Sequence, residues 1–527
     1  MRTPVIAIML DSLEPAWLER TIAAGRLPTL ARLRAESARA TLHGIHPFTG
    51  ELPTHALLTS THPARAGYWG AFNYDAATGK PVYARAYDYR GIRSFYDYSP
   101  GLKVCQFDVP KAGLATVAEG IQVLNWGAHG SLNDSVSNPP ELYGELQKAH
   151  GLHPALERDH LEPWQSRGLA DLFGRLIAGV RLRSQVHRDL LGRADWDLFF
   201  TSYSEMHSGA HCFMHLDDPS YPLHDGAKAG THMLTIAGAI DASIADLLRA
   251  APPDAAIAVF SVHGMVNNGW DINTMYLLPE LLHRLHFPVR IRRPDGPPPP
   301  ASVGSRMWAQ SVWRLTFGAA RRPPAIGEGI NFIPATWYAA DWPRMTAFAI
   351  PGLDEGMVRI NVKGRDAAGR VDPAQYETVL AKVAHAIASL TDARTGRPLV
   401  SRFFRTRRDP LEDGPHLPPA DLIVEWTQEA CDVADSPVAG RIGPVPLRRT
   451  GGHSRNGFVW FRDPRLAPGD RLAATPYDLG PTMLDLIGVD LPGHFDGRSL
   501  LRDWSRRADR AMFPTFEPRP VAVPLPA

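Results

Sequence analysis

Residues 1–12 read MRTPVIAIMLDS. The apolar run Val5–Leu10 is unbroken and stops at Asp11 and Ser12. A run that is apolar at every position suits a central parallel strand covered on both faces, whereas a half-exposed strand would alternate. An amphipathic stretch over 15–24 follows and reads as a helix. The unit then recurs. Apolar runs at Lys103–Phe107, 122–126, 196–201, 256–260 and Leu422–Trp426 are separated by helical patterns at 139–150, 169–183, 233–250 and 373–390. Strands alternating with helices predict an α/β fold, a large and mostly parallel sheet with helices on both faces.

The balance of 56 Lys+Arg against 55 Asp+Glu leaves a net charge of +1, with Arg spread among acids along all 527 residues. No nucleic-acid polymer is expected as a partner, because such partners select a basic surplus or stripe. Cys105, Cys212 and Cys431 lie far apart with no CxxC pair, which argues against a disulfide framework or thiolate zinc site and fits a reducing compartment. Val5–Leu10 is too short for a signal segment, and no window approaches the ~18 apolar residues of a spanning helix. The expectation is a soluble, cytoplasmic protein with no membrane partner; the sequence carries no signal for an oligomeric state. The stretch from 293 to 342 is rich in Pro, Gly and Arg and reads as a surface insertion.

Ligands of open α/β sheets gather at the carboxyl ends of the strands, so polar residues just after the apolar runs are the candidates. Asp11 is the first, with helix capping as its competing role. In residues 51–70, ELPTHALLTSTHPARAGYWG, Thr54 follows Pro53 at a helix N-terminus, where backbone N–H groups favour an anion; a plain cap is the alternative. Residues 196–215, WDLFFTSYSEMHSGAHCFMH, run from a strand into Glu205, His207, His211 and His215. His207 and His211 are four apart, so on a helix both imidazoles share one face and could share a metal, with His215 a structural candidate. Residues 256–265, AIAVFSVHGM, supply His263, and 449–459, RTGGHSRNGFV, supply His453. A lone histidine is commonly structural, and these two gain weight by joining the others.

This ordered set resembles the alkaline phosphatase superfamily and is most similar to its type I phosphodiesterase and nucleotide pyrophosphatase branch. The segment from Tyr477, YDLGPTMLDLIGVDLPGHFDGRSLL, is similar to the superfamily's closing helix and DGRSL tail. The resemblance implies an alkaline-phosphatase-like three-layer sandwich over residues 1–504, with insertions at about 127–168 and 288–342 and a Pro-rich tail at 505–527. It implies one or two divalent metal ions, zinc first, with manganese or iron as alternatives. One ion would be held by Asp11, Thr54 and His263, the other by His207, His211 and His453. Thr54 would be the nucleophile, passing through a phospho-threonine while a phosphodiester or pyrophosphate bond of a small-molecule phosphate ester is hydrolysed.

Two positions depart from the family pattern. The family reads SDHGM where this chain has SVHGM, so Val262 replaces a carboxylate, and His207 stands where the family has Asp. Both changes make the site richer in nitrogen, and Glu205 is a candidate to restore a carboxylate. Asn73, in GAFNYD, is the candidate to hold a phosphoryl oxygen, with a turn role as its alternative. Trp69, Trp126 and Phe213 are candidates to stack an aromatic leaving group, with a wall role as the alternative. A phosphomonoester or phosphonate hydrolase of the same fold is the alternative function, and a repurposed metal-binding member without phosphohydrolase activity is another. The absence of a CxPxR motif argues against a sulfatase.

Overall fold

The structure is a computed structural model that describes residues 2–50, 52–83, 93–116, 118–127, 134–156, 168–268, 270–288, 296–303, 334–447, 449–469 and 471–502. Residues 128–133 and 157–167 of the insertion expected at 127–168, most of the one expected at 288–342, and the whole tail at 505–527 lie outside the described residues.

The run Val5–Leu10 is buried at every position because it lies near the middle of a nine-stranded sheet. The strand order is Arg471–Ala474, Ala38–His43, Asn456–Arg462, Ala256–Ser261, Val5–Leu10, Leu198–Tyr203, Lys103–Phe107, Glu119–Leu124, Val136–Asn138. Asn456–Arg462 and Val136–Asn138 run against the rest. Alternate side chains of Val5–Leu10 enter two cores. Ile6, Ile8 and Leu10 pack with the helices Gly168–Leu191 and His232–Ala250, while Val5, Ala7 and Met9 pack with Leu52–Thr59 and Leu479–Ile487. Helix, sheet and helix form the three layers, and the fold is α/β.

Register sets where the strands end. Leu10 pairs with Tyr203 and Met9 with Phe260, so Asp11, the start of the helix Glu205–Asp217, and Ser261–His263 leave the sheet at one rim. Among the described residues, no helix is long and apolar enough to cross a membrane.

Two strand expectations need correction. The strand expected at 122–126 is Glu119–Leu124, because its exposed first residues lack the apolar character that marks a buried strand. Leu422–Trp426 is a strand, but not of the main sheet. It sits inside a separate four-stranded antiparallel sheet with Ala347–Ile350, Gly356–Ile360 and Val400–Arg405, inserted between Ala256–Ser261 and Asn456–Arg462. All five of its residues are buried, so its sequence reads like a core parallel strand. Behind it Asp421, fully buried, accepts from Arg365 Nη1 at 2.6 Å, Tyr376 Oη at 2.9 Å and the Ile360 amide at 2.7 Å.

Candidate metal centre

His207 and His211 lie one turn apart on the buried helix Glu205–Asp217. His453 arrives on the strand Gly451–Ser454, opposite Met265 of Gly264–Asn267. Their side chains converge through one kind of atom. His207 Nε2 lies 3.0 Å from His453 Nε2 and 3.1 Å from His211 Nε2. The imidazoles of His207 and His453 stack with only 4° between their planes.

The other ring nitrogens explain why the Nε2 atoms point inward. His211 Nδ1 donates to the Gly451 carbonyl at 2.6 Å, which leaves its Nε2 as an acceptor; Arg449 Nη2 donates to it at 2.7 Å, so Arg449 and a cation compete for that one lone pair. His453 Nδ1 faces both oxygens of Asp354, each at 3.3 Å. With His207 in the tautomer that leaves Nε2 bare, three lone pairs meet at about 3 Å, an arrangement that a shared positive charge stabilises. Three buried nitrogens, all within 4.8 Å of one another, are therefore a donor set suited to a divalent cation.

The rim of the sheet supplies the next group. Asp11 Oδ2 is 3.9 Å from His207 Nδ1, and its Oδ1 is 3.9 Å from His263 Nε2. Ser12 has a left-handed backbone, with φ +60°, and this conformation turns the chain sharply after Asp11. Its Oγ sits 3.2 Å from His263 Nδ1, so this fourth histidine is also held by Nδ1 with Nε2 inward. Thr54 is buried in the first turn of Leu52–Thr59. Gly50, just before that helix, packs so tightly that a Cβ there would lie 2.2 Å from Asp354 Oδ2 and 3.3 Å from His453 Nδ1. The helix N-terminus is thereby brought beside the histidines. A cleft of about 600 Å³ is lined by Ser12, Met206, Ala210 and Met265, and none of the four histidines, Asp11 or Thr54 lines it.

The candidate carboxylate Glu205 does not join this group. Two residues along a helix is ~200° around it, so Glu205 and His207 leave on different faces. Glu205, fully buried, accepts from Arg183 Nε at 2.9 Å and lies 3.0 Å from His153 Nε2, while Arg183 Nη2 donates to Asp108 at 2.7 Å. Burial alone would raise the Glu205 carboxyl; Arg183 and His153 overcome this and hold it down at about 2. It is a structural ion pair. His215 is likewise turned to Thr450, with Nδ1 3.1 Å from Oγ1, and burial lowers it to about 4. Asn73 sits in the hairpin Phe72–Asp75 and Lys80–Tyr83, and its Oδ1 accepts from the Tyr74 amide at 3.3 Å. Phe72 lines the cavity beside Gly50 and Asp354, and strand alternation sends Asn73 to the opposite side. Trp126 is buried against Phe107, and Phe213 against His232; Trp69 lines the cavity with its Nε1 donating to the Pro415 carbonyl at 3.0 Å. Val262 is buried in the apolar layer with Met9, Leu57 and Phe260.

Sequence reasoning missed two residues. Asp354 comes from the loop between Ala347–Ile350 and Gly356–Ile360, ninety-nine positions before His453. Burial would raise its carboxyl, but His453 and Arg449 outweigh this and keep it low. The adjacent Glu355 is pushed up to about 8, first by burial and then by Asp354. An acidic pair enclosed in GLDEG between two apolar strands was the available signal. Arg449 stood inside a motif already under consideration, but nothing in its spacing shows that it reaches His211.

No family model matches the chain, and no curated protein matches its sequence. Solved structures do. Wild-type alkaline phosphatase PafA is 11% identical, covers 95% of this chain and 98% of its own, and has a TM-score of 0.50. A multiple mutant of PafA is 10% identical, covers 95% and 99%, and has a TM-score of 0.53. Phosphonoacetate hydrolase from Sinorhizobium meliloti 1021 is 15% identical over 92% of this chain and 96% of its own, with a TM-score of 0.43. The PafA likeness shows the fold.

Proposed function

We propose that this chain is a metal-dependent hydrolase of phosphodiester or pyrophosphate bonds in small phosphate esters, with Thr54 as nucleophile. The observation that carries the reading is the convergence of His207, His211 and His453 through Nε2 at the strand-end rim that also bears Asp11 and His263. The donor set fits a divalent cation held by those three histidines, with Asp11 and His263 as the neighbouring donors. A cation bound there supplies Lewis-acid polarisation of a phosphoryl oxygen and eases loss of a proton from a hydroxyl.

The chain's own residues account for the remaining chemistry. Thr54 Oγ1 attacks phosphorus and gives up its proton, the bond from phosphorus to the leaving oxygen breaks, and that oxygen takes the electron pair and a proton. Water then attacks the phosphothreonine, the bond from Thr54 Oγ1 to phosphorus breaks, and a proton of the water returns to Thr54. The N-terminus of Leu52–Thr59 favours the anionic group, since its first N–H groups lack partners within the helix. Arg449, which gives up its bond to His211 Nε2 when the cation binds, supplies a positive charge beside the histidines.

The test is turnover of bis-(p-nitrophenyl) phosphate by protein loaded with zinc, manganese or iron, beside Thr54→Ala. Turnover that needs the metal and disappears in the variant is expected. Hydrolysis by Thr54→Ala at the wild-type rate would remove Thr54 from the mechanism.

A further inference from the structure

The inserted antiparallel sheet reaches the metal centre through one loop. Its loop carries Asp354 to the side of His453 that faces away from the other histidines. The two nitrogens of His453 are thus divided, with Nε2 turned to His207 and Nδ1 to a carboxylate that is nine-tenths buried.

The loop is fixed from several directions. The Asp354 carbonyl accepts from Thr274 Oγ1 at 2.8 Å, and Thr274 Oγ1 accepts in turn from Trp426 Nε1 at 2.7 Å. Thr49 Oγ1 donates to Glu355 Oε1 at 2.7 Å, tying the loop to the segment that leads to Thr54. Gly50 completes the arrangement, because only a residue without a Cβ leaves space for Asp354 Oδ2.

We propose that Asp354 is the positioning residue of the metal centre: it accepts the Nδ1 proton of His453 and thereby fixes the ring with Nε2 presented to the cation. This rests on the metal reading above and adds a residue from outside the main sheet. A carboxylate on the far nitrogen selects the tautomer, sets the ring's angle and makes the ligating nitrogen more basic. It also returns a negative charge to a site where Val262 and His207 stand at positions expected to carry carboxylates. Metal affinity thus depends on the seating of the inserted sheet.

Cobalt(II) titration followed by visible absorbance reads this without any turnover, in wild type, Asp354→Asn and Gly50→Ala, with melting in chelator as the control for folding. Asp354→Asn keeps the side chain's size and removes the charge, and its cobalt affinity is expected to fall about 10- to 100-fold while the metal-free variant still unfolds in a single cooperative transition, a few degrees below wild type at most. Gly50→Ala is expected to weaken cobalt in the same direction by displacing Asp354, and it decides the matter should Asp354→Asn melt low. Wild type that binds cobalt while both folded variants bind it within threefold as tightly would overturn the role of Asp354 alone. Wild type that takes up no cobalt would overturn the metal reading, and this role with it.

Discussion

Replacing Glu205 with Gln separates a metal ligand from a structural ion pair. Glu205 is fully buried and shares Arg183 with Asp108, while His153 approaches one of its oxygens. Gln keeps the shape and loses the charge, leaving the buried Arg183 guanidinium with one anionic partner instead of two. The carboxyl drops from an ordinary 4.5 to about 2, which at ~1.4 kcal/mol per pKa unit corresponds to about 3 kcal/mol. That agrees with the ~3–5 kcal/mol cost of breaking a buried pair on one side. In a chain of this length the melting midpoint moves roughly 1 °C per kcal/mol, so a fall of about 3 °C is expected at pH 7. The sign with pH follows from the depressed value. The carboxylate stabilises the fold fully above 4.5 and loses that effect as pH falls toward about 2. The gap between wild type and Glu205→Gln in urea unfolding should therefore shrink by more than half by about pH 3. The assay pairs those unfolding curves with elemental analysis. Unchanged melting with a lowered metal content would refute the reasoning and return Glu205 to the metal site.

Three further outcomes are expected. Thr54→Ala should lose at least ~10³-fold in phosphodiester turnover with melting and metal content retained, and Thr54→Ser should keep a measurable part of it, since a hydroxyl remains. His211→Ala removes one of three converging nitrogens and should weaken zinc by at least ~100-fold in a competition titration with a chromogenic chelator. Asp421→Ala leaves Arg365 buried without its main partner and should cost about 3–5 kcal/mol in urea unfolding while zinc affinity stays at the wild-type value.

Much of the fold could be read from local pattern. Val5–Leu10 is apolar at every position because both of its faces are covered, and its end marks the functional rim. The same logic failed for Leu422–Trp426, since a central antiparallel strand with both faces covered looks identical in sequence. Asn456–Arg462 went unread as a strand partner of Ala256–Ser261 because it runs against its neighbours, which alternation of strands and helices does not foresee. In the site, the pair His207 and His211 was legible because helical spacing alone places both on one face. Glu205 is near His207 in sequence, but the helix turns it to Arg183. Asn73 lies on a strand, where alternation sets it on the face opposite Phe72. Asp354 and Arg449 act across 99 and 238 positions, and no local period carries such contacts.

The most direct test of the metal centre is anomalous scattering from crystals of the zinc-loaded protein, collected at the zinc edge. The account predicts a peak within ~2.0–2.1 Å of Nε2 of His207, His211 and His453. Zinc bound elsewhere on the chain, or no peak among those three nitrogens at saturating zinc, would contradict it.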